Sequence, residues 1–313
     1  MYTEIPESIE MVEVSPRDGL QNEKQAFSTS DKIALIERAI AAGSRRIEVT
    51  SFVNPRAVPQ MADADAVCAD LPQRDDVVYI GLVMNQRGAD RALATGRIDQ
   101  LGAVCVSTDQ FAMANQGQTS DGSVAAAKTI IEAANAAGKT AQATIAASFG
   151  CPFEGEVAED RVVAMARSIA ESGPVEIALA DTIGVANPAH VARLVTKIRE
   201  VINPLPVRIH LHNTRGTGLA NVWAAIGSGA ATIDASIGGL GGCPFAPGAA
   251  GNVPTEDVIY MLERAGITTG LDLGKLLETN RWLGGVMDKE MPGMLGKTGG
   301  FPKPSGSQEE EAA

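Results

Sequence analysis

Cysteine is scarce in this chain. Its 313 residues hold four, Cys68, Cys105, Cys151 and Cys243, widely spread and with no CxxC pair. That excludes a secreted disulfide scaffold and fits a reduced compartment. Positive charge is also short: 26 Lys and Arg stand against 38 Asp and Glu, a net charge of −12. An acidic surface repels phosphate backbones, so nucleic acid is not expected as a partner, although a local basic patch could hold an anionic cofactor. Part of the charge sits in Glu309, Glu310 and Glu311, where it serves solubility. No run of about 18 apolar residues occurs, so no membrane span is expected. The first residues lack a basic stretch followed by an apolar one, and the last residues carry no peroxisomal or lipidation signal. The expected location is the cytoplasm.

The chain does contain regular alternation. Short apolar runs at 11–14, 47–50, 77–83, 101–106, 142–147, 175–179, 207–212 and 232–236 read as strands. Longer segments with helical spacing separate them, among them 30–42, 122–137, 157–172, 189–201, 219–227 and 255–265. Eight strands alternating with helices over about 250 residues predict a parallel α/β architecture, and the strand count favours a closed (β/α)8 TIM barrel. The competing open sheet would carry a GxGxxG turn after its first strand, but Ser15-Pro16-Arg17-Asp18-Gly19-Leu20 stands there. Residues 1–290 are expected to form the barrel with a C-terminal helical extension. Residues 291–313, rich in Gly, Pro, Ser and Glu from Gly296 on, are expected to be disordered.

Histidine is rare too, and two of the three histidines form His210-Leu211-His212 at the end of the seventh strand. Alternate strand residues share a face, so both imidazoles point the same way. They are either metal ligands or a satisfied core pair. Arg17-Asp18 follows the first strand, which a closed barrel places one strand away from the seventh. Asn252 ends the Gly-rich loop 238–251 after the eighth strand. Asp18, His210, His212 and Asn252 together make a mixed N/O donor set suited to a divalent cation. Alternatively, Asp18 is a turn residue and Asn252 caps the next helix. Arg17 is either a cation for a developing enolate or a rim ion pair. Glu48 and Asp181 are carboxylates at strand ends, each a base or a partner that orients a neighbour. Cys243 is either a proton donor or a small filler in its loop.

With these residues assembled, the sequence resembles the 3-hydroxy-3-methylglutaryl-CoA lyase family of barrel metallolyases. The matching segments are Val12-Glu13-Val14-Ser15-Pro16-Arg17-Asp18-Gly19-Leu20-Gln21-Asn22-Glu23, Glu48-Val49-Thr50-Ser51-Phe52-Val53, Gly150-Cys151-Pro152-Phe153-Glu154-Gly155, Asp181-Thr182-Ile183-Gly184, His210-Leu211-His212-Asn213-Thr214, and the loop from Gly239 to Asn252. The resemblance implies a divalent metal, usually Mg or Mn, on Asp18, His210, His212 and Asn252. It implies retro-aldol cleavage of (S)-3-hydroxy-3-methylglutaryl-CoA to acetyl-CoA and acetoacetate. Arg17, Cys243, Glu48, Asp181 and His210 are then catalytic, and Arg17, Gln21, Asn22 and Lys24 bind the CoA thioester substrate. A homodimer is usual for the family. Gln142, Thr144, Ala178 and Arg215 depart from its pattern, where Arg, Tyr, Ser and Tyr are common. A related thioester such as citramalyl-CoA or a bulkier 3-substituted 3-hydroxyglutaryl-CoA is therefore an alternative substrate. A condensing synthase of the same superfamily is a more distant alternative.

Overall fold

The computed structural model describes residues 5–242 and 251–302. The order of elements is β1 (Glu10–Glu13), α1 (Thr29–Ala41), β2 (Arg46–Ser51), α2 (Ala64–Asp70), β3 (Val78–Val83), α3 (Gln86–Ala94), β4 (Gln100–Val106), α4 (Asp109–Gln116), α5 (Ser120–Ala136) and β5 (Thr140–Ala146). There follow α6 (Glu159–Ala170), β6 (Ile177–Asp181), α7 (Pro188–Ile202), β7 (Val207–Leu211), α8 (Gly218–Gly227), β8 (Thr232–Ala235), α9 (Thr255–Arg264), α10 (Leu273–Met287) and α11 (Leu295–Thr298). The eight strands pair in parallel and in chain order, and β1 closes on β8 with Glu10 opposite Thr232 and Glu13 opposite Ala235. This is the (β/α)8 barrel expected from the alternation.

Polar caps set where the helices begin. Ser28 accepts the Asp31 amide at 3.1 Å ahead of α1, Asn85 accepts Gly88 ahead of α3, and Asn187 with Pro188 starts α7. Strands covered on both faces should read as near-continuous apolar runs, and the outer faces do: Ile47, Leu101, Ile145, Leu179 and Ile209 pack under the helices in one large core. The inner faces differ. Val12, Val14 and Ile80 form a small apolar set of their own. Elsewhere the same inward parity places Arg46, Glu48, Gln100, Gln142, Glu176, Arg208, His210 and Asp234, all but the partly buried Arg46 buried, in the lumen. A charged lumen is unusual for a barrel whose interior is ordinarily filled by branched apolar side chains.

Two expectations need correction. The sixth strand runs two residues later than predicted, because Val175 lies outside it and is 40% exposed. Residues 291–302 are not a loose tail. Met291 is buried against Gly238, and the Met294 and Leu295 amides donate to Asp257. Residues 303–313 lie outside the described residues.

Glu256, in the first turn of α9, holds this extension to the barrel rim. It accepts the Gly238 amide at 3.0 Å and the Asn280 amide from α10. Burial pushes its carboxyl up to about 7 from 4.5. The folded chain thus holds a proton that the unfolded chain releases between those values. This group's contribution to stability is greatest at the acid end and is lost as pH rises through about 7, by about 3 kcal/mol in all. Glu256→Gln is expected to flatten that slope, because the group that titrates on unfolding is gone. Urea unfolding at pH 5.5, 7 and 8.5 checks it; parallel pH dependences for the two proteins would show that Glu256 does not titrate on unfolding.

Candidate metal centre

After β1 the chain makes one π-helical turn, Ser15–Gly19, with Pro16 at its start and the Gly19 amide bonded to the Val14 carbonyl at 3.1 Å. Such turns widen the helix and often mark functional sites. Here the turn swings Arg17 and Asp18 over the barrel mouth. Gly19 is closely packed: a Cβ there would lie 3.0 Å from Ser236 Oγ and 3.3 Å from Leu240, so those side chains would have to give way.

His210 and His212 project from the end of β7 with their Nε2 atoms 3.2 Å apart. Asp18 Oδ2 lies 3.8 Å from His210 Nε2. Ligand atoms from Asp18, His210 and His212 all fall within 4.8 Å of one another. Asn252 reaches the same point because His212 and Asn252 form an isolated antiparallel bridge. Its Nδ2 donates to Asp18 Oδ2 at 2.8 Å and to the Leu240 carbonyl at 3.1 Å. Helix α9 starts later, with Pro254 at its cap position, so Asn252 is not a helix cap.

The donor set fits a divalent cation. Asn252 Oδ1 is buried with no hydrogen-bond partner among the described residues, where buried polar atoms are normally satisfied. Burial, reinforced by His210, pushes His212 down to about 4, so its ring is neutral and offers lone pairs at neutral pH. Burial alone would raise the Asp18 carboxyl, but Arg17, His210 and His212 outweigh it and hold Asp18 well below the ordinary range. Burial pulls His210 down as well, yet the hydrogen bond to Asp234 and the charge of Asp18 bring it above its ordinary value. Asp234 Oδ2 sits 3.1 Å from His210 Nδ1. A carboxylate on one ring nitrogen fixes the tautomer that leaves the other nitrogen free to bind metal.

These residues border a cavity of about 830 Å³, open mouth included. Arg17, Asp18, Gln21, Asn22, Glu48, His210 and His212 all line it. Arg17 joins Glu48 through Nε and Asp18 through a 2.6 Å contact, so it is a rim ion pair and a cavity cation at once. Asn22 Nδ2 donates to the Gly242 carbonyl at 2.8 Å, tying the loop after β1 to the start of the Gly-rich loop. Two expected residues lie elsewhere. Lys24 is exposed and outside the cavity lining. Asp181 shares the outward parity of Ile177 and Leu179, and its two oxygens accept the Val185 and Ala186 amides at 2.9 and 3.0 Å. It shapes the loop after β6 and does not line the cavity. Cys243 lies outside the described residues, although its neighbour Gly242 lines the cavity.

Sequence reasoning missed Asp234 and Arg208. Both were within reach of the alternation, because Arg208 is two residues before His210 and Asp234 is the inward residue of β8. Of the four positions that depart from the family pattern, Thr144 alone lines the cavity. Gln142 lies below it and accepts from Thr144 Oγ1 at 3.2 Å, Ala178 pairs with Thr144 across the sheet, and Arg215 donates outward to the Ile183 and Gly184 carbonyls.

The model of the HMGL-like family matches residues 8–283. The chain belongs to the HMGL-like family. Among its relatives, the (R)-citramalyl-CoA lyase of Chloroflexus aurantiacus is 41% identical over 309 residues, covering 94% of this chain and 95% of that protein. The hydroxymethylglutaryl-CoA lyase YngG of Bacillus subtilis is 38% identical over 287 residues, covering 92% and 96%. A solved HMG-CoA lyase from Acinetobacter baumannii, in complex with coenzyme A and 3-methylmalate, superposes with a TM-score of 0.90 at 40% identity, covering 95% of this chain and 97% of that one. Among the described residues of this HMGL-like chain, no helix is long and apolar enough to cross a membrane.

Proposed function

We propose that the protein is a metal-dependent carbon–carbon lyase that splits the C2–C3 bond of a 3-hydroxy-3-methyl dicarboxylic acid mono-CoA thioester. The reading assigned first is (S)-3-hydroxy-3-methylglutaryl-CoA, giving acetyl-CoA and acetoacetate. The observation that carries it is the placement of Arg17 directly beside Asp18, His210 and His212 on one cavity wall.

Asp18, His210, His212 and Asn252 would hold the cation, Mg or Mn by their donor chemistry. When bound, it supplies Lewis acidity toward the 3-hydroxyl and the ketone formed from it. The 3-hydroxyl loses its proton, C3 becomes a ketone carbon, and the electrons of the C2–C3 bond move onto the thioester as an acetyl-CoA enolate. Glu48, unlike Asp181, lines the cavity and is the carboxylate assigned to receive the hydroxyl proton. Arg17 faces the oxygen on which the enolate charge develops, a charge present only as the bond breaks. Gln21 and Asn22 position the thioester arm, and Cys243 is assigned to protonate the enolate carbon. A homodimer in the cytoplasm is the expected working form.

Citramalyl-CoA is a second reading, favoured by a specific feature. Among the described residues lining the cavity, Arg17 is the single arginine or lysine. A substrate whose free carboxylate sits on the hydroxyl-bearing carbon can present both groups to one cation and needs no second protein cation. A panel of 3-hydroxyacyl-CoAs, assayed with Mn, with Mg and with EDTA, decides between them. Acetyl-CoA is expected from at least one member with metal and from none with EDTA. Acetoacetate or pyruvate as the co-product separates the two substrates. Metal binding without cleavage of any member would reject the lyase reading.

A further inference from the structure

We propose that Arg208 is a positioning residue for the metal centre, orienting His210 through Asp234 and Arg17 through Glu48. The inference rests on the proposed metal-binding role of this site. Arg208 is fully buried in the lumen, two residues before His210 on the same face of β7. Its Nε donates to Asp234 Oδ1 at 2.5 Å, and the other oxygen of that carboxylate meets His210 Nδ1 at 3.1 Å. Its guanidinium also lies 3.6 Å from Glu48 Oε2, while Glu48 Oε1 accepts from Arg17. Each carboxylate thus gives one oxygen to Arg208 and the other to a residue of the site. A planar guanidinium fixes the planes of the carboxylates it grips, which an ammonium does not.

The base of the arrangement is equally fixed. Arg208 Nη1 donates to Glu176 Oε1 at 3.4 Å, and Glu176 is held from below by Arg46 at 2.5 Å and by Thr232 Oγ1 at 3.1 Å. A buried ionic network is weak evidence for stability, because apolar replacements of similar volume are often neutral or better. Orientation accounts for it directly. Without Arg208, Asp234 is free to turn from His210, and the ring is no longer confined to the tautomer with Nδ1–H and an open Nε2.

The test separates positioning from support of the fold. Arg208→Lys keeps the charge and loses the fork; Arg208→Met with Glu176→Gln removes the charge together with one partner. The imidazole tautomers are read by long-range 1H–15N correlation in metal-free protein, where only three histidines contribute. Mn affinity is read by titration of free Mn, and kcat and KM are measured at saturating Mn. We expect folded variants with mixed His210 tautomers, Mn affinity lower by about 10–100-fold, and kcat reduced more than KM is changed. A lower melting temperature with wild-type tautomer and Mn affinity would overturn the proposal. If neither variant folds, Asp234→Asn decides. It leaves Arg208 with Glu176 and Glu48 and must scramble the His210 tautomer; an unchanged tautomer there also overturns it. None of these readouts but kcat needs the substrate, so failure of the lyase reading is seen separately.

Discussion

Arg17→Gln lowers kcat by about 10³-fold while KM changes only a few-fold, which is the expected signature of an interaction made in the transition state. Arg17 is 8% exposed and committed to Glu48 and Asp18, so its guanidinium is already oriented before substrate enters. Charge stabilisation in such a site needs no rearrangement as the bond breaks, and that is why it is large. Arg17→Lys restores the charge without the two-pronged grip and is expected to recover only part of the loss. Steady-state kinetics at saturating Mn measure both. A Gln variant with wild-type kcat and a raised KM would assign Arg17 to binding alone.

The other large effect concerns Asp18. On the proposed ligand set, Asp18→Ala removes the one anionic donor, unties Asn252, and leaves two imidazoles and the Asn252 amide oxygen to hold the cation. Activity is expected to fall by roughly 10⁴-fold, matching the several kcal/mol that a Lewis acid contributes to such a step. Chelation of the parent protein should give the same loss, reversed by added Mn or Mg. The outcome that sinks the metal centre is full activity in EDTA, or a variant that binds Mn like the parent.

Much of this was legible in the chain. The strands are visible because each is a short apolar run between helical segments, and the candidate ligand pair because residues two apart on a strand share a face. The same parity, applied further, separates two carboxylates that look alike. Glu48 shares its face with Arg46 and points into the lumen; Asp181 shares its face with Leu179 and points under the helices. It also exposes Arg208 and Asp234, whose importance is invisible until β7 and β8 are laid side by side, His210 opposite Asp234. The end of the fold was less legible. Nothing local in Gly- and Pro-rich residues 291–302 signals that Met291 and the amides of Met294 and Leu295 dock on distant partners. Lys24 is close in sequence to the cavity residues Gln21 and Asn22, but the loop turns it outward.

The closure of β1 on β8 has a consequence for how the protein is made. Asp18 and Asn252, in direct contact, are 234 residues apart. A growing chain that has not yet completed β8 carries Asp18 and both histidines with no closed rim to gather them. Pairings between such remote partners carry a large loop-closure cost and slow folding. On the proposed ligand set, a ribosome-bound fragment ending before residue 252 lacks Asn252 and the strap that orients Asp18, and is expected to bind Mn more weakly than the full chain.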